Sequence, residues 1–180
     1  LFVACLNLIL VKAQTDSSAK STMAILKIDT KDIKSKEYSL LYPEEAGTML
    51  RIEMEKLNIY EILDRYDANY IIQKKKLVTD NCFGKLCLTE IGKELEVDKM
   101  LSGTIENING VIYYSLRLID VKSSTIEKTH IHEFLDIPNQ LQNMTAIMIR
   151  EMFSLPNDEE LTKSLSARNI LENTINTPYA

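Results

Sequence analysis

The sequence predicts an α/β (α+β) domain with a single mixed β-sheet of about five strands, in the order β-α-β-α-α-β-β-β-α, with the helices packed on the sheet. Three observations predict it. Short apolar runs and helix-period apolar patterns alternate through the first half of the chain, which implies a crossover between parallel strands. Asn109-Gly110 separates two long apolar-rich segments and a third follows Lys122-Ser123-Ser124, the pattern of an antiparallel meander. The 180 residues are 45% hydrophobic and 26% charged, enough apolar side chain for one core, which excludes wholesale disorder and a low-complexity chain.

The elements follow in order. Met23 to Asp29 is a short apolar run that reads as a mostly buried strand. Pro43 suits the first turn of a helix, with Glu44 and Glu45 favourably placed on its dipole. Ala46, Leu50, Met54 and Leu57 recur at helical spacing, and Asn58 is a left-handed stop. Ile59 to Leu63 reads as a second strand. Asp67 reads as the N-cap of the next helix, with Tyr66 and Ile71 as a hydrophobic staple. Lys74-Lys75-Lys76 ends that helix as a solvated cationic terminus suited to the dipole. A third helix from Cys87 presents Leu88, Ile91 and Leu95, and Gly92 beside them allows a close approach to a sheet. Met100 to Ile108, Val111 to Val121 and Thr125 to Leu135 form the meander. Pro138 opens a final helix with Leu141, Met144, Met148 and Met152 on its buried stripe, Asp158 to Leu171 is weakly helical, and Asn173 to Ala180 reads as frayed. No internal repeat is present.

The predicted organisation is a signal peptide over 1–13, a linker over 14–22, the α/β domain over 23–153 and a weakly helical, partly disordered tail over 154–180. Leu1 to Val11 is apolar except for Asn7 and ends in Val11-Lys12-Ala13-Gln14, small or aliphatic at the positions that precede a cut after Ala13. The run lacks an initiator Met and a basic start, so the chain as given is expected to miss its first residues. It is also shorter than the about 20 residues that span a membrane, and no other stretch reaches that length. Phe2-Val3-Ala4-Cys5 is a weak match to a lipoprotein cleavage box, because the apolar run continues past the Cys.

Composition narrows the chemistry. The net charge is -5, and the five Arg (51, 65, 117, 150 and 168) are scattered, so no basic face suits nucleic acid. Two His, three Cys and five Gly leave few parts for metal, thiol or phosphate-loop chemistry, and no catalytic or cofactor-binding set is expected. His130 and His132 share one strand face, and a metal would need a third ligand such as Asp120 or Glu133. No completing motif exists in the sequence, so both read as exposed strand histidines with no metal. Gly84-Lys85 lacks the flanking residues of a phosphate loop. Asn143-Met-Thr145 is a formal glycosylation sequon inside a predicted helix. Cleavage after Ala13 would remove Cys5 and leave Cys82 and Cys87, an even pair that reads as a disulfide in an oxidising compartment. A redox pair and half a metal site are the alternatives.

The run Cys87-Leu-Thr-Glu90-Ile91-Gly92-Lys-Glu-Leu95-Glu-Val-Asp98-Lys-Met-Leu-Ser-Gly103-Thr-Ile105, followed by Leu116-Arg117-Leu118-Ile-Asp120-Val121, resembles the periplasmic α/β domain of the CsgG superfamily. That group includes the curli secretion channel subunit, the penicillin-binding-protein activator LpoB and the similar amino-terminal domain of TolB. The first strand ending in Asp29 and Ile62-Leu63-Asp64-Arg65 before a helix fit the same pattern, so the resemblance covers residues 23 to 153. It implies structural roles for Glu90, Ile91, Gly92, Asp98, Gly103, Arg117 and Asp120, none of them catalytic. A channel subunit of that family carries a lipid-anchored N-terminus and extra strand pairs of about 9 to 11 residues each. The hairpins here are too tightly connected for such insertions, and Ser123-Ser124 replaces the family's usual glycine.

The resemblance therefore implies a non-catalytic interaction module. It would be exported to the periplasm or outer-membrane periphery of a Gram-negative bacterium and bind an envelope protein partner through a sheet edge or loop. No cofactor, nucleic acid or membrane-spanning segment is implied, and homo-oligomerisation is left open. The alternatives are a component or fragment of a CsgG-type outer-membrane curli secretion system and, third, an envelope enzyme.

Overall fold

The alternation of the first half does build a parallel crossover, and the second half a meander, in one six-stranded mixed sheet. The computed structural model describes residues 20–31, 43–137 and 139–167. The expected signal peptide, the start of the linker, Pro138 and the chain from Arg168 onward lie outside the described residues. The strands are β1 (Thr22–Ile25), β2 (Asp29–Lys31), β3 (Glu61–Ile62), β4 (Lys99–Ile108), β5 (Val111–Asp120) and β6 (Thr125–Leu135). The helices are α1 (Pro43–Leu57), α2 (Arg65–Lys75), α3 (Lys85–Glu94), α4 (Leu141–Met152) and α5 (Glu159–Leu165). Along the sheet the order is β3-β1-β4-β5-β6, with β2 also on β4. β1 runs parallel to β3 and β4, β2 parallel to β4, and β4-β5-β6 are antiparallel.

The expected first strand is split. Ile25 pairs with Leu101 and Asp29 with Thr104, so the chain fits one more residue than β4 between these pairs and leaves the ladder at Leu26 to Ile28. The cause is the crossover helix. A Cβ on Gly47 would lie 2.5 Å from the Leu26 carbonyl oxygen, so α1 touches the sheet backbone here. The Ile28 N–H donates to the Pro43 carbonyl at 3.0 Å, a bond that turns this segment toward the helix start.

Two layers of helix follow from strand alternation. One face carries Met23, Ile25, Leu101, Ile105, Ile112, Tyr114, Leu116 and Phe134 against α1 and α4, through Leu50, Met54, Met144 and Met148. The other carries Ala24, Met100, Ile119 and Val121 against α2 and α3, through Ala68, Leu88, Ile91 and Leu95. Gly92 permits the second contact: a Cβ there would meet Val121 Cγ2 at 2.6 Å and Met100 Cγ at 2.9 Å. Among the described residues no helix is long and apolar enough to cross a membrane.

Several boundaries differ from the sequence reading. The second strand shrinks to Glu61–Ile62. The N-cap of α2 is Asp64, whose side chain accepts from the Tyr66 N–H at 2.7 Å, and Asp67 lies in the first turn. The apolar pair flanking that cap is Ala68, in the core, and Leu63, partly buried against it, whereas Tyr66 is exposed. Lys76 ends α2 in the left-handed conformation, and Lys75 bonds both the Glu94 carbonyl and its carboxylate. α3 begins at Lys85, two residues before Cys87, and α4 begins only at Leu141. Asn58 and Asn109-Gly110 have the positive φ angles expected of a left-handed stop and a tight hairpin turn.

The chain after α4 returns to the sheet. Asp158 caps α5 by accepting from the Leu161 N–H at 3.0 Å. Ser166 then makes an antiparallel bridge to Phe134, and the Ala167 N–H donates to the Glu133 carbonyl at 2.9 Å. Leu165 and Ala167 are buried.

Candidate functional site at the outer strand

β6 is an edge strand of 11 residues, and its alternation sends His130, His132 and Phe134 to the α4 side of the sheet. There they meet Glu151, in the last turn of α4. Its Oε2 lies 2.7 Å from His130 Nε2 and 2.9 Å from His132 Nδ1. The His132 ring stacks on Phe134 with centroids 4.2 Å apart. Ser166, delivered by the returning chain, places Oγ 2.7 Å from His132 Nε2 and donates to the Thr162 carbonyl at 2.7 Å. An open cavity of about 560 Å³ gives onto this group, lined also by Ile131 and Thr162.

The histidines are therefore half-buried and partnered, not the exposed strand residues the sequence suggested. The carboxylate brought to them is Glu151, rather than Asp120 or Glu133. Asp120 is engaged elsewhere: its Oδ2 pairs with Lys99 at 2.7 Å, and its Oδ1 accepts from Ser123 N–H and Oγ. The Lys99 ammonium and the Ser123 donors hold the Asp120 carboxyl well below the ordinary carboxylate range. Burial works against the Lys99 charge, yet its bonds to Asp120 and Glu127 outweigh that and hold it above the ordinary lysine range. Glu151 and Ser166 were invisible to spacing arguments because they lie on α4 and after α5. The only sequence signal was the i, i+2 histidine pair.

The residues singled out by the family pattern are placed as follows. Gly103 faces α1 and α4 from β4, where a Cβ would collide with the Ser115 carbonyl and Leu116. Asp98 Oδ2 accepts from Thr22 N–H at 2.8 Å, and the Asp98 N–H donates to Thr22 Oγ1 at 3.0 Å, which joins the starts of β1 and β4. Arg117 Nη2 donates to the Phe83 carbonyl at 3.2 Å, tying β5 to the loop closed by the Cys82–Cys87 disulfide, whose Cα atoms are 5.6 Å apart. Ile91 is core and Glu90 is exposed on α3. Thr145 of the sequon is fully buried.

A second concavity, about 230 Å³, lies at the end of β1 between α1 and α2, with Lys27, Glu44, Arg51, Arg65 and Tyr66 in its wall. Arg51 is buried there and donates from Nη2 to the Ile25 carbonyl at 2.6 Å. Burial lowers the Arg51 pKa, and the opposing effect of nearby Glu55 is smaller.

No protein-family model matches the chain, and no curated protein matches it by sequence. Solved structures do match. The LpoB C-terminal domain from Salmonella enterica superposes with a TM-score of 0.53 at 12% identity, over 66% of this chain and 85% of that one. The LpoB C-terminal domain from Escherichia coli gives 0.52 at 13% identity, over 66% and 84%. The NMR structure of E. coli LpoB gives 0.51 at 13% identity, and the match spans 64% of this chain but only 56% of that longer one. At these identities the likeness concerns architecture alone: the chain has an LpoB-like fold.

Proposed function

We propose that the chain is a non-catalytic module of the CsgG superfamily that binds an envelope protein partner along the outer edge of β6. The observation that carries this reading is the edge itself. β6 is 11 residues long, its one bridge to the returning chain is at Phe134 among the described residues, and Ile126 and Ile131 are 42% and 61% exposed beside it. An open strand edge offers backbone donors and acceptors to an added strand, and flanking apolar side chains add affinity. The LpoB-like fold and the superfamily motif support the envelope setting. The Cys82–Cys87 disulfide fits an oxidising compartment, in line with export and cleavage after Ala13.

The alternative, a CsgG-type secretion component, would need strand pairs inserted between β4 and β5 or between β5 and β6. Those connections are Asn109-Gly110 and the turn at Val121–Ser124.

The test is site-specific photo-crosslinking of the full chain expressed in a Gram-negative envelope. A photoreactive residue at Ile131 is expected to give one discrete protein adduct, whereas the same residue at Glu160 on α5 gives none. Equal labelling from both positions, or no adduct at Ile131, would overturn the edge reading.

A further inference from the structure

With both imidazoles neutral, the hydrogen bonds around His132 leave one contact without a proton. The Thr162 carbonyl can only accept, so it takes the Ser166 hydroxyl proton. Ser166 Oγ must then accept from His132 Nε2–H. A neutral imidazole carries one N–H, so His132 Nδ1 presents a lone pair 2.9 Å from the Glu151 Oε2 lone pairs. The same oxygen also lies 2.7 Å from His130 Nε2. Two nitrogens and a carboxylate oxygen thus converge on one point that either a proton or a metal ion can occupy, and the three ligand atoms lie within 4.8 Å of one another.

We infer that His130, His132 and Glu151 bind one divalent transition-metal ion, of the Zn²⁺ class, through His130 Nε2, His132 Nδ1 and Glu151 Oε2. Two imidazoles and a carboxylate are the donors such an ion takes. The strand spacing puts both rings on one face, and Glu151 projects from the last turn of the helix packed on it. Tetrahedral ligation at about 2.1 Å separates neighbouring ligand atoms by about 3.4 Å. The two carboxylate–imidazole separations of 2.7 and 2.9 Å must therefore lengthen by about half an ångström or slightly more, which rotation of the Glu151 carboxylate and tilting of the rings supply. Ser166 is the outer partner that selects the His132 tautomer with Nδ1 free for the metal, the role such partners have at histidine-bound metals. The cavity bordered by Ile131 and Thr162 leaves a fourth position for water. On binding, any proton shared between the imidazoles and the carboxylate leaves to solvent. The ion would then pin the end of α4 and the chain after α5 to β6. The inference stands independently of the partner proposed for that strand.

The test uses untagged full chain, since a polyhistidine tag would compete, under non-reducing conditions that keep Cys82 and Cys87 paired. After loading with Zn²⁺ and desalting, elemental analysis should find one equivalent per chain, and Co²⁺ loading should give the visible bands of a low-coordinate site. H130Q and E151Q should each lose the retained metal while keeping the far-ultraviolet circular dichroism of the parent. Ser166→Ala should weaken Zn²⁺ binding roughly 10- to 100-fold, the usual effect of losing an outer partner. No stoichiometric retention by the parent, or retention undiminished in both H130Q and E151Q, would overturn the inference and leave a proton as the shared cation.

Discussion

Lys99 and Asp120 face each other as the outermost pair of the β4–β5 ladder, and the ammonium sits 2.7 Å from Asp120 Oδ2. The same carboxylate caps the turn into β6 through Ser123, so one residue joins the start of β4 to the turn leading into the edge strand. The pair gives the fold a defined pH response. Asp120 is depressed from its ordinary 3.8, so its contribution is present above that value and is lost as pH falls through the lower folded value. Lys99 is raised from its ordinary 10.5, so its contribution is present below that value and lost only in stronger base. Urea unfolding of D120N should therefore show lower stability than the parent at neutral pH and a flatter acid limb below pH 3.8. Parallel acid limbs would rule out Asp120 as the group responsible.

Two glycines separate by what a methyl group would strike. At Gly92 the obstacles are the side chains of Val121 and Met100, which can shift, so G92A should cost about 1–3 kcal/mol. Val121→Ala in the same chain should recover part of that loss. At Gly103 the obstacle is the Ser115 carbonyl, backbone of the adjoining strand in mid-ladder. G103A should therefore be the more damaging change, and no side-chain truncation should rescue it. Denaturation midpoints of the four chains check the order.

The disulfide closes a short loop that Arg117 also holds from β5. On the chain-entropy view, replacing both Cys82 and Cys87 by Ser should cost about 2 kcal/mol. Alkylation of exported protein without reductant should label neither thiol. Full labelling would show that the pair is not bridged in its native compartment.

What the sequence made legible was whatever is encoded locally. Asn109-Gly110 requires no partner to specify its turn, Asn58 adopts a stop conformation that few residues accept, and the apolar stripe of α4 repeats with the helix. What it hid depends on contacts distant in the chain. Nothing near Leu26 announces that α1 will press Gly47 against it and split the first strand. Asp64 and Asp67 are both competent caps, and the choice fell to the one whose neighbours Leu63 and Ala68 both reach the core. The histidine pair was visible as a pair. Its completion by Glu151, 19 residues beyond His132, and by Ser166, 34 beyond, exists only after β6, α4 and α5 have packed.

The buried hydroxyls of Tyr114 and Thr145 provide a final prediction, in which removing more polar atoms should do less harm. Thr145 Oγ1 donates to the Leu141 carbonyl at 2.8 Å, which spends its only proton. The Tyr114 hydroxyl, 3.2 Å away and fully buried, must then donate to Thr145 Oγ1. Burial raises the Tyr114 pKa and outweighs the lowering by this bond, so the phenol stays protonated and keeps a proton to place. Y114F removes the donor and leaves Thr145 still bonded to Leu141, at a cost of about 0.5–1.5 kcal/mol. T145V keeps the shape but strands the Tyr114 O–H in the core, at about 1–3 kcal/mol. Adding Y114F to T145V removes the stranded group, so the double variant should be more stable than T145V alone. Chemical denaturation of the three variants measures this directly. A double variant less stable than T145V would mean that the phenol donates elsewhere and that the chain of bonds does not run through Thr145.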